Sequence, residues 1–177
     1  MPDISLQWPC MEYGRVYLIG FMGAGKTTVG RQLAKKLRWQ FFDLDQEIEK
    51  REKRRISEIF RDSGEPHFRE LERRHLTELS SVERAVIALG GGAYLDPQNR
   101  ELAGKTGLTI WLKVSFAKVA DRVKIDGTRP KFADKDHAER LYQSREPFYA
   151  NAKIHISTDG ESPESVVNKI LGVIQNS

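Results

Sequence analysis

From Arg15 onward, short apolar runs alternate with amphipathic stretches. The run "RVYLIG" at 15–20 predicts a buried strand, and residues 27–37 predict a helix with Val29, Leu33 and Leu37 on one face. "QFFDLD" at 40–45 predicts a second strand that ends in two carboxylates. Helical patterns follow at 46–54, 56–62 and 67–80. "AVIALGGG" at 85–92 reads as a third strand running into glycines, and "LTIWLKV" at 108–114 as a fourth. A helix is expected at 115–123, a polar loop at 124–135 and a further helix over 136–150. "KIHIS" at 153–157 is a short fifth strand. In the last stretch Ser162 is placed to cap a helix that has Pro163 in its first turn. Strands separated by helices imply βαβ units, hence a parallel sheet with helices on both faces.

Residues 1–14 show no periodicity and read as an N-terminal extension or loose arm; residues 15–177 read as one domain. That length suffices for one hydrophobic core. No apolar run is long enough for a membrane span, and the first residues lack the basic start and apolar stretch of a secretory signal. Cys10 is the single cysteine, which excludes an intrachain disulfide, and these features together point to the cytoplasm.

A net charge of +4 suits nucleic acid or small anionic ligands. The most basic stretch, "EKREKRRISE" at 49–58, is interleaved with acid. Glu47 and Glu49 each stand four residues before a cation, Arg51 and Lys53, as on a solvated helix face. No aromatic residues punctuate it as a stacking platform for bases requires, so nucleic acid is not the expected partner.

The sharpest motif is "GFMGAGKTTVG" at 20–30, in which Gly20, Gly25, Lys26 and Thr27 match G-x-x-x-x-G-K-[ST] between a strand and a helix. Such a loop curls its amides toward phosphate oxygens at a helix N-terminus. Gly23, Ala24, Gly25, Lys26, Thr27 and Thr28 are therefore the expected nucleotide-binding residues, with Lys26 reaching the β- and γ-phosphates and the Thr27 hydroxyl a ligand for Mg²⁺.

The acceptor must be read elsewhere. Asp43 and Asp45 lie two apart, on one side of an extended chain, so that one could serve the metal and the other a substrate hydroxyl. Asp45 could equally cap the next helix. Gly90, Gly91 and Gly92 follow a buried strand, where either a closely approaching ligand or a loose loop explains them. Arg69 and Arg145 have the forked shape that suits a planar carboxylate, although most arginines simply face solvent. Arg129 sits in the longest polar loop, as in a lid that covers a transferring phosphoryl group.

These motifs together resemble the shikimate kinase family: "GFMGAGKTTVGRQLA", "FFDLDQEIE", "GEPHFRELE", "ALGGG", "DRVKIDGTRP", "SREPFY" and "TDGESP", in that order from Arg15 to the C-terminus. The resemblance implies a nucleoside-monophosphate-kinase-like, three-layer α/β fold with a five-stranded parallel sheet of order 2-3-1-4-5 and a mobile lid at about 124–135. It implies transfer of the ATP γ-phosphate to the 3-hydroxyl of shikimate, with Mg²⁺, by a cytoplasmic enzyme that is a monomer. By position, Asp45 would bind the shikimate hydroxyls and serve catalysis with Lys26 and Arg129. Arg69, Arg145, Gly91 and Gly92 would hold the substrate, and Asp43 would join Thr27 near the metal. Arg122 and Pro163 would lie near the adenine. The chain departs from the family pattern at Lys131-Phe132, where an apolar pair is usual, and at Leu89, where a small hydroxyl residue is common. Another hydroxy acid such as gluconate as acceptor, and a regulatory module that binds ATP without turnover, are the competing readings.

Overall fold

Strand β1 (Arg15–Ile19) runs through the middle of a five-stranded sheet of order β2-β3-β1-β4-β5, with β2 Gln40–Asp43, β3 Ala85–Ala88, β4 Leu108–Lys113 and β5 Ile154–Ser157. All four pairings are parallel. Val16 to Ile19, the whole of β3 and most of β4 are buried, as expected of a parallel sheet covered on both faces. This is the doubly covered α/β architecture, and the strand order, that the sequence led us to expect. The computed structural model describes residues 13–126 and 135–175. The central part of the expected lid, with Arg129 and Lys131-Phe132, and nearly all of the N-terminal arm therefore lie outside the described residues. Tyr13 and Gly14, counted with that arm, belong to the body: the Gly14 carbonyl accepts the Arg84 amide at 2.8 Å, and Lys153 bonds the Tyr13 hydroxyl.

The helices are α1 Lys26–Leu37, α2 Leu44–Glu52, α3 Ile56–Leu79, α4 Pro97–Thr106, α5 Phe116–Asp126, α6 Lys135–Tyr149 and α7 Pro163–Gln175. A 3₁₀ turn at Ala93–Leu95 precedes α4. Four boundaries differ from the sequence reading in instructive ways. The second strand stops at Asp43, because the Asp43 carboxylate turns to the Gln46 amide and caps α2. Asp43 and Asp45 therefore do not share one side of a strand: Asp43 closes β2, and Asp45 stands in the first turn of α2. The cap is Asp43, not Asp45. The third strand ends at Ala88, before the glycines. The two helical stretches at 56–62 and 67–80 are joined into α3 across a break at Gly64, whose φ of 80° and ψ of 170° are not helical.

Helix α5 continues to Asp126, so the expected loop begins later than residue 124. Helix α4 had not been anticipated. It is capped by Asp96, which accepts the Gln98 amide at 2.8 Å, with Pro97 at its first position. At α7 the expected cap forms, with the Ser162 hydroxyl accepting the Ser165 amide at 3.1 Å. Of the two surface pairs proposed on α2, Glu47–Arg51 is present at 3.8 Å, whereas Glu49 accepts the Ile56 amide at the entry to α3.

Candidate active site

The carboxyl ends of β1, β2 and β3 open into a cleft of about 550 Å³. This is the end of a parallel sheet where helix N-termini and loop amides face a ligand. Gly23, Gly25, Lys26, Thr27 and Thr28 line one side of it, Asp43 and Asp45 another, and Gly90, Gly91 and Arg145 a third.

The phosphate loop is shaped by backbone that only glycine adopts cheaply. Gly25, the residue before α1, is left-handed at φ 88°, and Gly23 is at φ 76°. Ala24 is buried beneath the loop, its amide bonded to the Phe21 carbonyl. Lys26 folds back over the loop and donates to the Gly20 and Phe21 carbonyls at 2.8 and 2.9 Å. The Thr27 hydroxyl donates to Asp43 Oδ2 at 2.7 Å. These are oxygen donors of the kind that a hard divalent cation takes, placed at the mouth of the phosphate loop.

The glycine run is tightly enclosed by side chains. A Cβ at Gly90 would lie 2.4 Å from Asp45 Oδ1, one at Gly91 3.1 Å from Arg145 Nη1, and one at Gly92 2.5 Å from Arg69 Nη1. Each glycine thus faces one of the three side chains assigned to the acceptor. What approaches the run is the protein's own side chains, which rules out a loose loop as the reason for the glycines and leaves the expected ligand contact to the proposal below. Tyr149 fixes this wall by donating its hydroxyl to the Gly91 carbonyl at 2.5 Å. Burial pushes its phenol up to about 12, so it remains a donor. Arg145 lies over the Phe21 ring at 5.7 Å, and its buried Nε has no hydrogen-bond partner among the described residues.

Arg69 belongs to the segment of α3 after the break. It donates to Glu72 at 2.6 Å from Nη1 and to Glu65 Oε1 from Nε and Nη2. Burial drives the Glu72 carboxyl up to about 7, and Asp45 and Asp96 push in the same direction, against the pull of Arg69. Burial opposes the Arg69 charge, but Glu72 and Glu65 outweigh it and keep its pKa above the ordinary value. Glu65, Glu72 and Tyr149 are the residues that sequence reading passed over. Their spacing, four before and three after Arg69 and four after Arg145, is the helical neighbour spacing that could have revealed them.

The remaining assignments are not brought into the cleft by what is described. Pro163 opens α7 and is not part of the cleft lining, Arg122 falls within α5, and Arg129 lies outside the described residues.

The chain is similar to known shikimate kinases. The family model described as "Shikimate kinase" matches residues 22–175. A shikimate kinase of Persephonella marina is 43% identical over 161 residues, covering 90% of this chain and 98% of that protein. Among solved structures, a shikimate kinase from Acinetobacter baumannii in complex with shikimate superposes with a TM-score of 0.87 at 35% identity, covering 94% of this chain and 95% of that one. One from Bacteroides thetaiotaomicron gives a TM-score of 0.85 at 36% identity, covering 91% and 98%. With the family model matching most of the chain and the sheet order and cleft in place, the chain belongs to the shikimate kinase family.

Proposed function

We propose that this chain transfers the γ-phosphoryl group of ATP to the 3-hydroxyl of shikimate, giving shikimate 3-phosphate and ADP. The observation that carries the reading is the glycine run faced by one carboxylate and two guanidinium groups beside a phosphate loop. A hydroxylated carboxylic acid matches that set: the carboxylate for Arg69 and Arg145, the hydroxyls for Asp45.

In the proposed reaction the acceptor oxygen forms a bond to the γ-phosphorus in line with the bond that breaks to the β-phosphate oxygen. Asp45 orients the hydroxyl and takes its proton, which leaves late in a loose transition state. Lys26, released from the Gly20 and Phe21 carbonyls, follows the negative charge on the phosphates. Arg129 is assigned a second cation's role on the moving group. Thr27 and Asp43 are the residues that would hold Mg²⁺, which when bound with the nucleotide neutralises charge on the β- and γ-phosphate oxygens. Arg122 and Pro163 are assigned to the adenine end. A monomer is proposed from the family resemblance. The single cysteine supports a cytoplasmic setting. Among the described residues no helix is long and apolar enough to cross a membrane.

A coupled ADP-release assay with Mg²⁺ and ATP, run with shikimate, with gluconate and without acceptor, tests the reading. Release that requires shikimate is expected. Release driven by gluconate replaces the acceptor, and release without acceptor makes the protein an ATPase.

A further inference from the structure

A guanidinium can grip a carboxylate with two parallel hydrogen bonds along its Nε–Nη2 side or across its Nη1–Nη2 end. For Arg69 the end is closed. A Cβ on Gly92 would lie 2.5 Å from Nη1, 2.8 Å from Nη2 and 3.0 Å from Cζ. Cζ is the farthest of the three, the order expected for approach to the end of the fork, not to its face. Glu72 already takes Nη1. The Nε–Nη2 side remains, and there Glu65 Oε1 accepts from Nε at 3.1 Å and from Nη2 at 2.8 Å. The fork that suits a substrate carboxylate is held by a carboxylate of the same chain.

The two glutamates are not equivalent. Glu72 is 1% exposed and Glu65 61% exposed. A buried partner is costly to remove, whereas an exposed one exchanges at little cost. Glu65 also follows directly on Gly64, where α3 is broken, so the backbone before it is not tied into the helical segment that carries Arg69.

We propose that Glu65 is a built-in stand-in for the substrate carboxylate: it keeps the Arg69 fork aimed, and it must yield that fork when shikimate binds. The proposal rests on the reading of the chain as a shikimate kinase. Glu72 keeps its hold on Nη1 throughout, so Arg69 does not swing free during the exchange. The exchange sets a selectivity: an acceptor alcohol without its own carboxylate has nothing with which to replace Glu65, and leaves the site closed. It also makes Glu65 a weak competitor, lowering shikimate affinity below what Arg69 alone would give.

The test is calorimetric titration of the full-length protein with shikimate, wild type beside Glu65→Gln, with kcat and KM from the ADP-release assay. Relief from competition predicts that Kd and KM for shikimate both fall, by about threefold given the usual strength of an exposed ion pair. The gain should sit in KM and not in kcat. A Kd that is unchanged or raised overturns the proposal, the latter because it makes Glu65 a support for Arg69. A wild-type protein that neither binds nor phosphorylates shikimate instead brings down the functional reading itself.

Discussion

The Thr27 hydroxyl donates to Asp43 Oδ2 at 2.7 Å, joining the first turn of α1 to the end of β2 across 16 residues of chain. The contact ties the phosphate loop to the acceptor side of the cleft through one hydrogen bond. Asp43 has a second task, since it also caps α2, which carries Asp45 in its first turn. Asp43→Asn is therefore expected to raise the Mg²⁺ concentration needed for half-maximal turnover by about 10- to 100-fold, the usual effect of losing a carboxylate that orients a metal ligand. Turnover measured against free Mg²⁺ checks this; an unchanged Mg²⁺ dependence takes Asp43 away from the metal.

Asp45→Asn keeps the shape of the side chain and removes its capacity to take a proton. Turnover should fall about 10²- to 10⁴-fold, the range for loss of a general base, while ATP affinity survives. Single-turnover kinetics beside a nucleotide titration separates the two. Near-normal turnover would reduce Asp45 to a residue that only positions the hydroxyl.

Gly90→Ala approaches the same carboxylate from the other side. The added methyl would lie 2.4 Å from Asp45 Oδ1, so Asp45 must shift. A displacement near 1 Å in a reacting group costs on the order of a hundredfold in rate. The expected result is a large loss in kcat with an intact fold by circular dichroism, and an active Gly90→Ala variant would show that Asp45 has room to spare.

Arg69→Lys retains the charge but loses the fork. The lysine cannot serve Glu72 and a substrate carboxylate with paired hydrogen bonds, and KM for shikimate should rise by about tenfold or more, the worth of a charged hydrogen bond. KM for ATP should be little changed. Equal shifts in both would point to a general disturbance of the cleft.

Glu72 gives the protein a pH-dependent stability. Its carboxyl is driven by burial to about 7 in the folded state, above its ordinary value of 4.5. Between those two values the folded protein holds a proton that the unfolded chain has released. Stability is thus complete below the lower value and falls as pH rises toward 7, by up to about 3 kcal/mol. Urea unfolding at pH 5 and pH 8 should show this loss in the wild type and a smaller one in Glu72→Gln. Equal slopes in the two proteins would place the Glu72 pKa near normal.

The parts of this molecule that were legible in its sequence are those written locally. The phosphate loop is a contiguous motif, and the buried strands are contiguous apolar runs. The end of β2 was misread because Asp43 and Asp45 look alike in a string; only the Gln46 amide distinguishes the cap from its neighbour. Helix α4 was missed because its apolar residues are few, Leu102 and Ala103 among polar neighbours, and its clearest signal was the Asp96-Pro97 start. The facing of Gly90, Gly91 and Gly92 by Asp45, Arg145 and Arg69 joins residues from α2, α6 and α3, and no single stretch contains it. The strand order reached the sequence reading through family resemblance, since hydrophobic patterning says nothing about which strands are neighbours.

That strand order also sets when activity can arise during synthesis. The phosphate loop is complete by residue 27, yet β1 pairs only with β3 and β4, so its first hydrogen-bonded neighbour is made at residues 85–88. Arg145 follows much later, and β5 and α7 close the sheet after it. A chain growing from its N-terminus carries the phosphate loop on an unpaired strand until residues 85–88 exist. It gains the acceptor wall only when most of its residues exist. The phosphate loop is therefore held in shape only once β3 and β4 flank β1, and the acceptor wall is completed later still, by Arg145.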